Sequence, residues 1–277
     1  MFRLLDIKIK KIFEYKELVY ELALRDVKLR YRKPFLGFLW MLIMPFSTAL
    51  IYKILFLDFM HVTSSEYPFF IHLITALLPW TYFTSSIQSS ARAILDNRGI
   101  INQISFPKYL MPISIVLANL INFLPTLLVL LGFLVAFKVK IGIFIIFLPL
   151  VILIQTALII GLSLLTSALQ VVYRDVEYII QVLLMVLFFL TPGVYTLEEI
   201  VNKNRPLFTK VYMLNPLVGL LNQYRITLMG GYLNTLPSAV NFLNTFIIPS
   251  LCSIAVLLFG FFVFKRYEKR FSDYLNV

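Results

Sequence analysis

The stretch Leu22–Phe46, LALRDVKLRYRKPFLGFLWMLIMPF, changes character abruptly in its middle. Charged residues are frequent up to Lys33, and none occurs from Phe35 until Lys53. An uncharged apolar run approaching ~20 residues predicts a membrane span, and basic residues at its start predict a cytoplasmic end beside anionic lipid. The stretch therefore predicts that the chain lies in a membrane.

The composition of the whole chain supports the same prediction. Of 277 residues, 60% are hydrophobic and only 14% are charged, which is more apolar surface than a soluble domain can bury. The net charge of +11 would suit a nucleic-acid partner, but the cations cluster beside the apolar runs, with ten before Phe35 and four at 265–270. This distribution favours a membrane surface over nucleic acid.

Six apolar runs are long enough to cross the hydrocarbon layer of a bilayer, which is about 30 Å thick. They are 35–57, 68–91, 109–137, 143–169, 178–196 and 243–264. With a cytoplasmic N-terminus, 18 of the 25 Lys and Arg residues fall on the cytoplasmic side, in agreement with the positive-inside rule. We therefore predict an all-α integral membrane protein with six transmembrane helices and both termini in the cytoplasm.

This topology divides the chain into three regions. Residues 1–34 form a cytoplasmic N-terminal segment, residues 35–264 form the six-helix transmembrane domain, and residues 265–277 form a basic cytoplasmic tail. Within the domain, 197–242 is predicted to be extracytoplasmic. Its apolar part is too short and too polar to cross, so it either lies on the outer face as a surface helix or re-enters the membrane.

Residues 11–31 predict an amphipathic helix ahead of the first span. One narrow face of its helical wheel contains Phe13, Tyr20, Leu24, Val27 and Tyr31. A charged flank about 60–120° away contains the residues Arg25 and Lys28. We expect this helix to lie on the membrane with its basic residues among anionic headgroups, and Pro34 to turn the chain into the first span.

Catalytic and metal-binding patterns are missing from the sequence. There is no G-x-x-x-x-G-K-[S/T] phosphate loop, and the one cysteine cannot form a disulfide or a thiolate metal site within the chain. His61 and His72 are interpreted as polar residues near the outer interface rather than metal ligands. Asp175 and Glu177 lie beside Arg174, where we expect a local ion pair rather than acid–base catalysis.

The predicted spans are almost free of acidic residues in their central parts. Ion-coupled transporters usually carry charged residues there, because such residues form the coupling site. The polar residues Asn119, Asn122 and Gln155 are explained by ordinary hydrogen bonds between helices. A protein of this kind either takes its energy from a partner or is passive.

Four stretches of the sequence resemble the type 2 ABC transporter permeases that export bacterial polysaccharides. They are LALRDVKLRYRKPFLGFLWMLIMP (22–45), SFPKYLMPIS (105–114), YRDVEYIIQVLLMVLFFLTPGVY (173–195) and LNPLVGLLNQYRITLMGG (214–231). They occur in the order of that family and extend over most of 22–231. The most similar members are the O-antigen and related surface-glycan exporters, with teichoic acid exporters nearby.

The resemblance implies that the chain is a permease subunit rather than an enzyme. Two copies of such a permease pair with two copies of a separate cytoplasmic ABC ATPase, which binds ATP and Mg²⁺, so this chain itself needs no cofactor. The implied cargo is a lipid-linked polysaccharide such as O-antigen, a component of lipopolysaccharide. The implied location is the bacterial inner membrane.

The resemblance also implies roles for individual segments. The helix 11–31 corresponds to the interface helix of the family, and 197–230 corresponds to its short re-entrant helices before the last span. The interface-helix residues are Tyr20, Leu24, Arg25, Lys28 and Tyr31. The ATPase-coupling residues are Asp96, Arg98 and Gly99 in the loop 92–107, which holds the coupling helix, and Arg174, Asp175 and Glu177 in the loop 170–177.

A conduit for a sugar polymer favours aromatic side chains, because their faces stack on sugar C–H groups without selecting one unit. The candidates for this path are Phe46, Tyr52, Trp80, Tyr82, Phe83, Phe188, Phe189 and Tyr195. The alternative is that these side chains face lipid, the core or the interfacial belts, as most aromatic residues of membrane proteins do.

Three other functions are compatible with parts of the sequence. The same machinery could export teichoic acid, a drug or a lipid. A membrane-embedded enzyme of lipid-linked sugar chemistry would require clustered carboxylates or histidines at one membrane face. A passive structural subunit would have no ATPase partner.

Overall fold

A computed structural model of the chain describes residues 15–31, 37–59, 67–103, 106–195, 206–236 and 240–271, together with the single positions 197, 200 and 274. Every regular element within these ranges is helical. The α-helices are α1 (Lys16–Tyr31), α2 (Trp40–Lys53), α3 (Phe69–Ala91), α4 (Ala93–Asp96), α5 (Arg98–Gln103), α6 (Leu110–Ala136), α7 (Leu148–Val172), α8 (Val176–Phe189), α9 (Pro206–Met213), α10 (Pro216–Leu228), α11 (Tyr232–Thr235) and α12 (Ile248–Glu268).

Four helical runs are long and apolar enough to cross a membrane. They are Phe69–Ala91, Leu110–Ala136, Ile143–Val172 and Leu243–Glu268. They confirm the positions of the second, third, fourth and sixth predicted spans. Shorter apolar helices, Trp40–Phe56 and Val176–Phe189, occupy the positions of the first and fifth. The chain is therefore a multi-pass membrane protein built from helices.

The first apolar helix is short as an α-helix but belongs to a longer helical run. A 3₁₀ turn at Gly37–Leu39 precedes α2, and a π-helical stretch at Ile54–Phe59 follows it. Pro45 lies inside α2 and is one of its two buried residues. Because the flanking turns continue the helix, the run from 37 to 59 has the length of a span even though its α-helical part does not.

Helix α3 forms the centre of the bundle. It is buried along most of its length and packs against α2, α6, α7, α8 and α10. Helices α7 and α12 form the most extensive helix pair. A Cβ atom at Gly260 would overlap the backbone oxygen of Gly161, so the absence of side chains lets the two backbones touch.

A second hydrophobic core lies at the end of the bundle where the charged segments meet. It joins Val19 and Leu22 of α1 to Ile94 of α4, Val171 of α7 and Phe264 of α12. The segments predicted to be cytoplasmic therefore pack together at one end, which we call the charged end. The backbone N–H of Lys108 donates to Glu268 at 3.1 Å and fastens the start of α6 to the end of α12.

Helix α10, which lies in the segment after the fifth apolar helix, is not on the surface of the protein. Asn215 caps α10 by accepting a hydrogen bond from the backbone N–H of Leu217 at 3.0 Å, and Pro216 occupies the first turn. Every residue of α10 from Leu217 to Leu228 is buried, against α3, α7 and α12. The surface-helix alternative for this part of 197–242 was therefore wrong.

Several predictions fall on residues outside the described ranges. They concern the segment 1–14 with Phe13, the turn at Pro34, the loop histidine His61, and the C-terminal tail beyond Phe271 apart from Tyr274. The predicted re-entrant stretch is described from 206 onward, with positions 197 and 200.

Candidate functional site

The charged end contains an ion-pair bridge between two chain segments. Arg92 follows the last residue of α3, and its guanidinium contacts Asp96 at 3.3 Å and Glu177 at 3.3 Å. The hydrogen bond to Asp96, together with the charges of Asp96 and Glu177, raises the pKa of Arg92 above its ordinary value. All three side chains are open to solvent to some degree, so this bridge can be remade when another surface docks on it.

This bridge corrects one prediction from the sequence. Glu177 was expected to pair with its neighbour Arg174, but it pairs with Arg92, which is 85 positions earlier in the chain. The buried side chain of Gln170 explains this pairing, because it holds the turn at 173–177 in place. Its Nε2 donates to the carbonyl of Arg174 at 3.0 Å, and its Oε1 accepts from the backbone N–H of Glu177 at 2.7 Å. Gln170 thereby sets the orientation of both residues.

The remaining residues predicted for ATPase coupling are exposed around the bridge. Arg98 and Gly99 begin α5, and a Cβ atom at Gly99 would meet only open space. Arg174 and Asp175 are exposed on the adjacent turn. Within the part of the chain that the structure describes, no ion pair involves Arg98, Arg174 or Asp175. This charged end is therefore an open surface with two short helices, α4 and α5, separated at Asn97.

Helix α1 packs on this surface through a face that differs from the predicted one. Val19, Leu22 and Ala23 are buried against the bundle, whereas Tyr20 is 58% exposed. The two faces are about 110° apart on the helical wheel, so α1 has a protein-facing apolar side and a second apolar side directed outward. Of the predicted residues, Leu24 and Arg25 are partly buried and Lys28 is exposed, while Tyr31 contributes only its backbone to the described structure.

Arg25 connects α1 to the short helices. Its guanidinium donates to Asp26 and to the side-chain oxygen of Asn97, each at 2.8 Å. Asn97 is the residue that separates α4 from α5, and its amide also donates to the carbonyl of Ala93. A movement of either short helix is therefore transmitted directly to α1.

A buried polar centre lies around α10, and the sequence reasoning missed it. The side chain of Arg225 is completely buried and donates to the carbonyls of His72 and Gly193, at 3.3 Å each. Its polar neighbours are the phenol groups of Tyr195, Tyr212 and Tyr232. His72 is itself only 3% exposed, so it packs inside the protein, close to the start of α3. Among the described residues no three His, Cys, Asp or Glu side chains approach closely enough to share a metal ion.

Four of the predicted path aromatics meet where α2, α3 and α8 approach one another. Phe188 stacks on Tyr52 with ring centroids 5.8 Å apart and contacts Trp80 at 5.5 Å and Phe189 at 5.3 Å. Phe189 remains 60% exposed. The cluster continues to Phe56, whose ring lies 6.1 Å from that of Tyr52.

The other candidates have packing roles in this structure. Tyr82 stacks on Phe123 at 5.0 Å and hydrogen-bonds Thr156 at 3.0 Å, inside the core. Phe83 is also buried, and Phe46 contacts Phe133 at 5.1 Å. The hydroxyl of Tyr195 donates to the carbonyl of Phe189 at 2.9 Å, at the end of α8.

The polar residues of the spans behave differently from one another. Gln155 donates to the carbonyl of Pro79 at 2.8 Å and accepts from the Tyr224 hydroxyl at 2.5 Å, as predicted for a bond between helices. Asn119 accepts from Arg30 at 2.9 Å, which links α6 to α1. Asn122 has no hydrogen-bond partner for either amide atom in the described chain, which the sequence did not predict.

Comparison with known sequences identifies the family. The profile described as "ABC-2 type transporter" matches residues 17–229, which extend from α1 to the end of α10. The chain belongs to the ABC-2 type transporter family. The matched part of this ABC-2 chain therefore includes the ion-pair bridge at Arg92, the aromatic cluster and Arg225.

Individual relatives are named for polysaccharide export. The chain is 33% identical over 217 residues to the O-antigen export system permease protein RfbA of Myxococcus xanthus, covering 78% of this chain and 82% of that protein. It is 29% identical over 273 residues to an O-antigen export system permease protein RfbA of Klebsiella pneumoniae, covering 98% and 100%. The polysialic acid transport protein KpsM of Escherichia coli is 27% identical, with 86% and 92% covered.

The sequence of this ABC-2 chain did not identify four residues that have structural roles at the site. Arg92, Gln170, Arg225 and His72 take their roles from partners that are distant in the chain. For Arg225 one signal existed, because a lone cation within a predominantly apolar stretch is costly and therefore calls for a specific partner.

Proposed function

We propose that this protein is the membrane subunit of an ATP-driven exporter that moves a lipid-linked polysaccharide, such as O-antigen, out of the cytoplasm. The observation that carries the proposal is the match to the ABC-2 type transporter family over 17–229, combined with relatives named as O-antigen export permeases across nearly their whole length. The bacterial inner membrane is the location that follows from this cargo.

The proposed topology has six transmembrane helices with both termini in the cytoplasm. The helical run 37–59 and helix α8 supply the first and fifth spans, and α10 re-enters the membrane without crossing it. Support comes from the polar centre and the full burial of α10, since irregular and short helices at membrane depth need protein neighbours. The distribution of Lys and Arg supports the orientation.

A cytoplasmic ABC ATPase is the proposed source of energy, and it binds the ATP and Mg²⁺ that this chain has no loop to hold. Its docking surface is the charged end, with α4 and α5 as the coupling helices and the turn at 173–177 as the second contact. The exposed residues Arg98, Gly99, Arg174 and Asp175 make direct contact in this proposal. Closure of the ATPase dimer then tilts α3, α7 and α8 as rigid bodies through the Arg92 bridge.

Two copies of the chain, with two ATPase subunits, form the proposed working unit. Support comes from α8, in which only Ile180 and Leu184 are fully buried and one side is uncovered, with the exposed apolar side chains Tyr178, Ile179, Val182, Leu183, Met185, Val186 and Phe189. The aromatic cluster of Tyr52, Trp80, Phe188 and Phe189 lies beside this uncovered side. We place the sugar path along it, because aromatic faces hold sugar rings without gripping one unit.

Deletion of the gene in its host tests the export function. We expect loss of polysaccharide from the cell surface, accumulation of lipid-linked polymer inside, and rescue by the wild-type chain. Intact surface polysaccharide in the deletion strain would contradict the assigned cargo and would favour export of a drug or a lipid by the same machinery.

Purification in mild detergent tests the partner. We expect an ABC ATPase to co-purify, and native mass spectrometry to give a complex of two permease and two ATPase chains. Transport of polymer into proteoliposomes that contain this chain alone would contradict the proposal.

A further inference from the structure

A cavity of about 480 Å³ lies where α1 crosses the bundle, between α2, α3 and α6. Its lining includes the side chains of Arg30, Trp40, Met44, Tyr82, Asn119 and Asn122. The cavity shares no lining residue with the aromatic cluster beside α8, whereas Arg30 also lines a neighbouring cavity at the charged end. It combines one cation, several amides and hydroxyls, and aromatic and thioether side chains.

Arg30 lies in the wall of the cavity without a carboxylate partner. Its guanidinium donates to Asn119, which lies nine residues beyond the start of α6 and so about 13 Å along that helix. Among the described residues no acidic side chain is within ion-pair distance of Arg30. Because Arg30 is exposed beside the open cavity, its guanidinium can form a charge-assisted hydrogen bond with an anion bound there.

Asn122 indicates the chemistry of the ligand group next to the anion. Only 8% of this residue is exposed, yet neither its amide nitrogen nor its carbonyl oxygen is hydrogen-bonded within the described chain. An unbonded buried amide costs stability. The buried amides of Asn119, Gln155 and Gln170 are bonded, and those of Asn222 and Gln223 each leave only the oxygen without a partner, whereas Asn122 leaves both of its atoms without one. Asn122 lies three residues beyond Asn119, or about 4.5 Å deeper into the cavity. A bound molecule therefore needs a donor and an acceptor at that depth.

The walls of the cavity favour a sugar at this position. Trp40 is 42% exposed and offers an aromatic face to the cavity. The hydroxyls of Thr48, Thr81 and Thr126 donate to backbone carbonyls of their own helices, so their oxygens are free to accept hydrogen bonds. A sugar ring supplies the hydroxyl donors for these oxygens and both bonding partners for Asn122, whereas a lipid tail supplies neither.

Met44 is 65% exposed at the edge of this cavity and forms an apolar outlet toward the lipid side. A ligand with an acyl or prenyl chain could therefore enter without removing that chain from the membrane. The cavity therefore offers one partner to each part of a glycosyl phosphate lipid, in which the phosphate joins the sugar to the lipid chain: a cation for the phosphate, polar and aromatic groups for the sugar, and an apolar outlet for the chain.

We propose that this cavity binds the headgroup of a lipid-linked glycan, with the phosphate at Arg30 and Asn119 and the first sugar between Asn122 and Trp40. The proposal rests on the proposed export function and assigns the cavity as a cargo-recognition site on each single chain. The competing source of the same anion is the headgroup of a bulk phospholipid, which would fill the phosphate position and leave Asn122 unbonded.

The tryptophans provide a direct readout of binding. The chain has two, Trp40 in the cavity and Trp80 in the aromatic cluster, so Trp80→Phe leaves Trp40 as the only indole. The full-length chain with this substitution is placed in phosphatidylcholine nanodiscs. It is then titrated with polyprenyl phosphate carrying N-acetylglucosamine, with sugar-free polyprenyl phosphate, and with phosphatidylglycerol. We expect a saturable change in Trp40 emission, with the highest affinity for the sugar-bearing lipid.

Substitutions distinguish the proposed phosphate position from the proposed sugar position. Arg30→Met should weaken binding of both polyprenyl phosphates by about tenfold or more, because it removes a charge-assisted bond. Asn122→Leu should weaken only the sugar-bearing lipid, by about tenfold, and should leave the melting temperature of the lipid-free chain unchanged or higher. If Asn122→Leu fails to fold, Asn122→Ser should give a change in the same direction. Lys16→Met, which removes an exposed charge at the start of α1, should bind within about twofold of the parent.

Equal affinity for phosphatidylglycerol and the sugar-bearing lipid, or unchanged sugar-lipid binding in both Asn122 variants, would overturn the proposal. These results are independent of whether the protein is an exporter. If cells export polysaccharide but the protein in nanodiscs does not bind the sugar-bearing lipid, only the proposed binding site is contradicted. If the lipid binds but cells export no polysaccharide, the proposed function is contradicted.

Discussion

Arg92 and Arg225 occupy opposite environments in the same molecule. Arg92 lies on the charged end, is more than half exposed, and pairs with two carboxylates. Arg225 is completely buried and its hydrogen bonds go to two backbone carbonyls. The first arrangement contributes little to stability because water competes with both partners, whereas the second cannot be replaced by water. Arg92 therefore belongs to an exposed surface that is suited to docking, whereas Arg225 belongs to a buried centre that stabilises the fold.

Substitution of Arg225 should have the largest effect on stability. In Arg225→Met the carbonyls of His72 and Gly193 lose their bonds to the guanidinium, and α10 loses this hydrogen bond to α3. We expect a loss of about 3 kcal/mol in unfolding free energy. Arg225→Lys keeps the charge but replaces Nη2, which donates to both carbonyls, with an ammonium group on a stem of different shape, and it should lie between this variant and the wild type.

Thermal unfolding in detergent, followed by circular dichroism, measures this effect. Lys140→Glu, at an exposed position, is the matched control and should unfold like the wild type. A stabilised Arg225→Met variant would show that the buried cation is retained for transport and not for folding.

Removal of the Gln170 side chain should have an intermediate effect. Gln170→Leu keeps the volume but removes both bonds to the turn at 174–177, and we expect a loss of about 2 kcal/mol. Glu177 should then lose its fixed position beside Arg92, so the partner ATPase should co-purify less well. Full co-purification despite lower stability would show that the turn makes no contact with the ATPase.

A charge exchange at the bridge should affect coupling and leave stability almost unchanged. Arg92→Glu places like charges together, and we expect a melting temperature within about 2 °C of the wild type. We expect polysaccharide export to fall strongly. The double variant Arg92→Glu/Glu177→Arg restores opposite charges and should recover part of the export. If export does not recover, the ATPase contacts the side chains at 92 and 177 individually, and their mutual attraction is not what matters.

Charge reversal at Arg98 should have the smallest effect on stability and a specific effect on docking. Its side chain is exposed and has no ion pair among the described residues. We expect Arg98→Glu to unfold like the wild type and to reduce ATPase recovery in a pull-down by about tenfold, because a contact between opposite charges is lost. Normal recovery of the ATPase would remove Arg98 from the docking surface.

The positions of the apolar helices could be predicted from the sequence because length and hydrophobicity are local properties. The run predicted at 109–137 is the helix Leu110–Ala136, and the run predicted at 68–91 is Phe69–Ala91. The helix ahead of the first span was also predicted. The face on which α1 packs was not predicted. The helix has two apolar sides, and the sequence alone does not show which of them contacts the rest of the protein.

The candidate site was predicted only in part. Asp96 and Glu177 were selected separately from two loops, and the structure places them on a common partner, Arg92, that the sequence had left as an ordinary basic residue. The coupling roles of these residues and the aromatic path remain predictions. The reason is physical, since an ion pair between positions 92 and 177 depends on how three helices pack and leaves no local pattern.

The amino-acid sequence by itself determined that this protein lives in a membrane, where its apolar helices lie, and which family it belongs to. The first two properties follow from the free energy of transferring apolar side chains out of water, which adds up along a short window of residues. The family follows from the match of the sequence to the profile over 17–229. The tertiary structure alone decided the burial of Arg225, the bridge at Arg92 and the unbonded amide of Asn122. Each of these depends on a neighbour that only the packing of distant helices brings into contact.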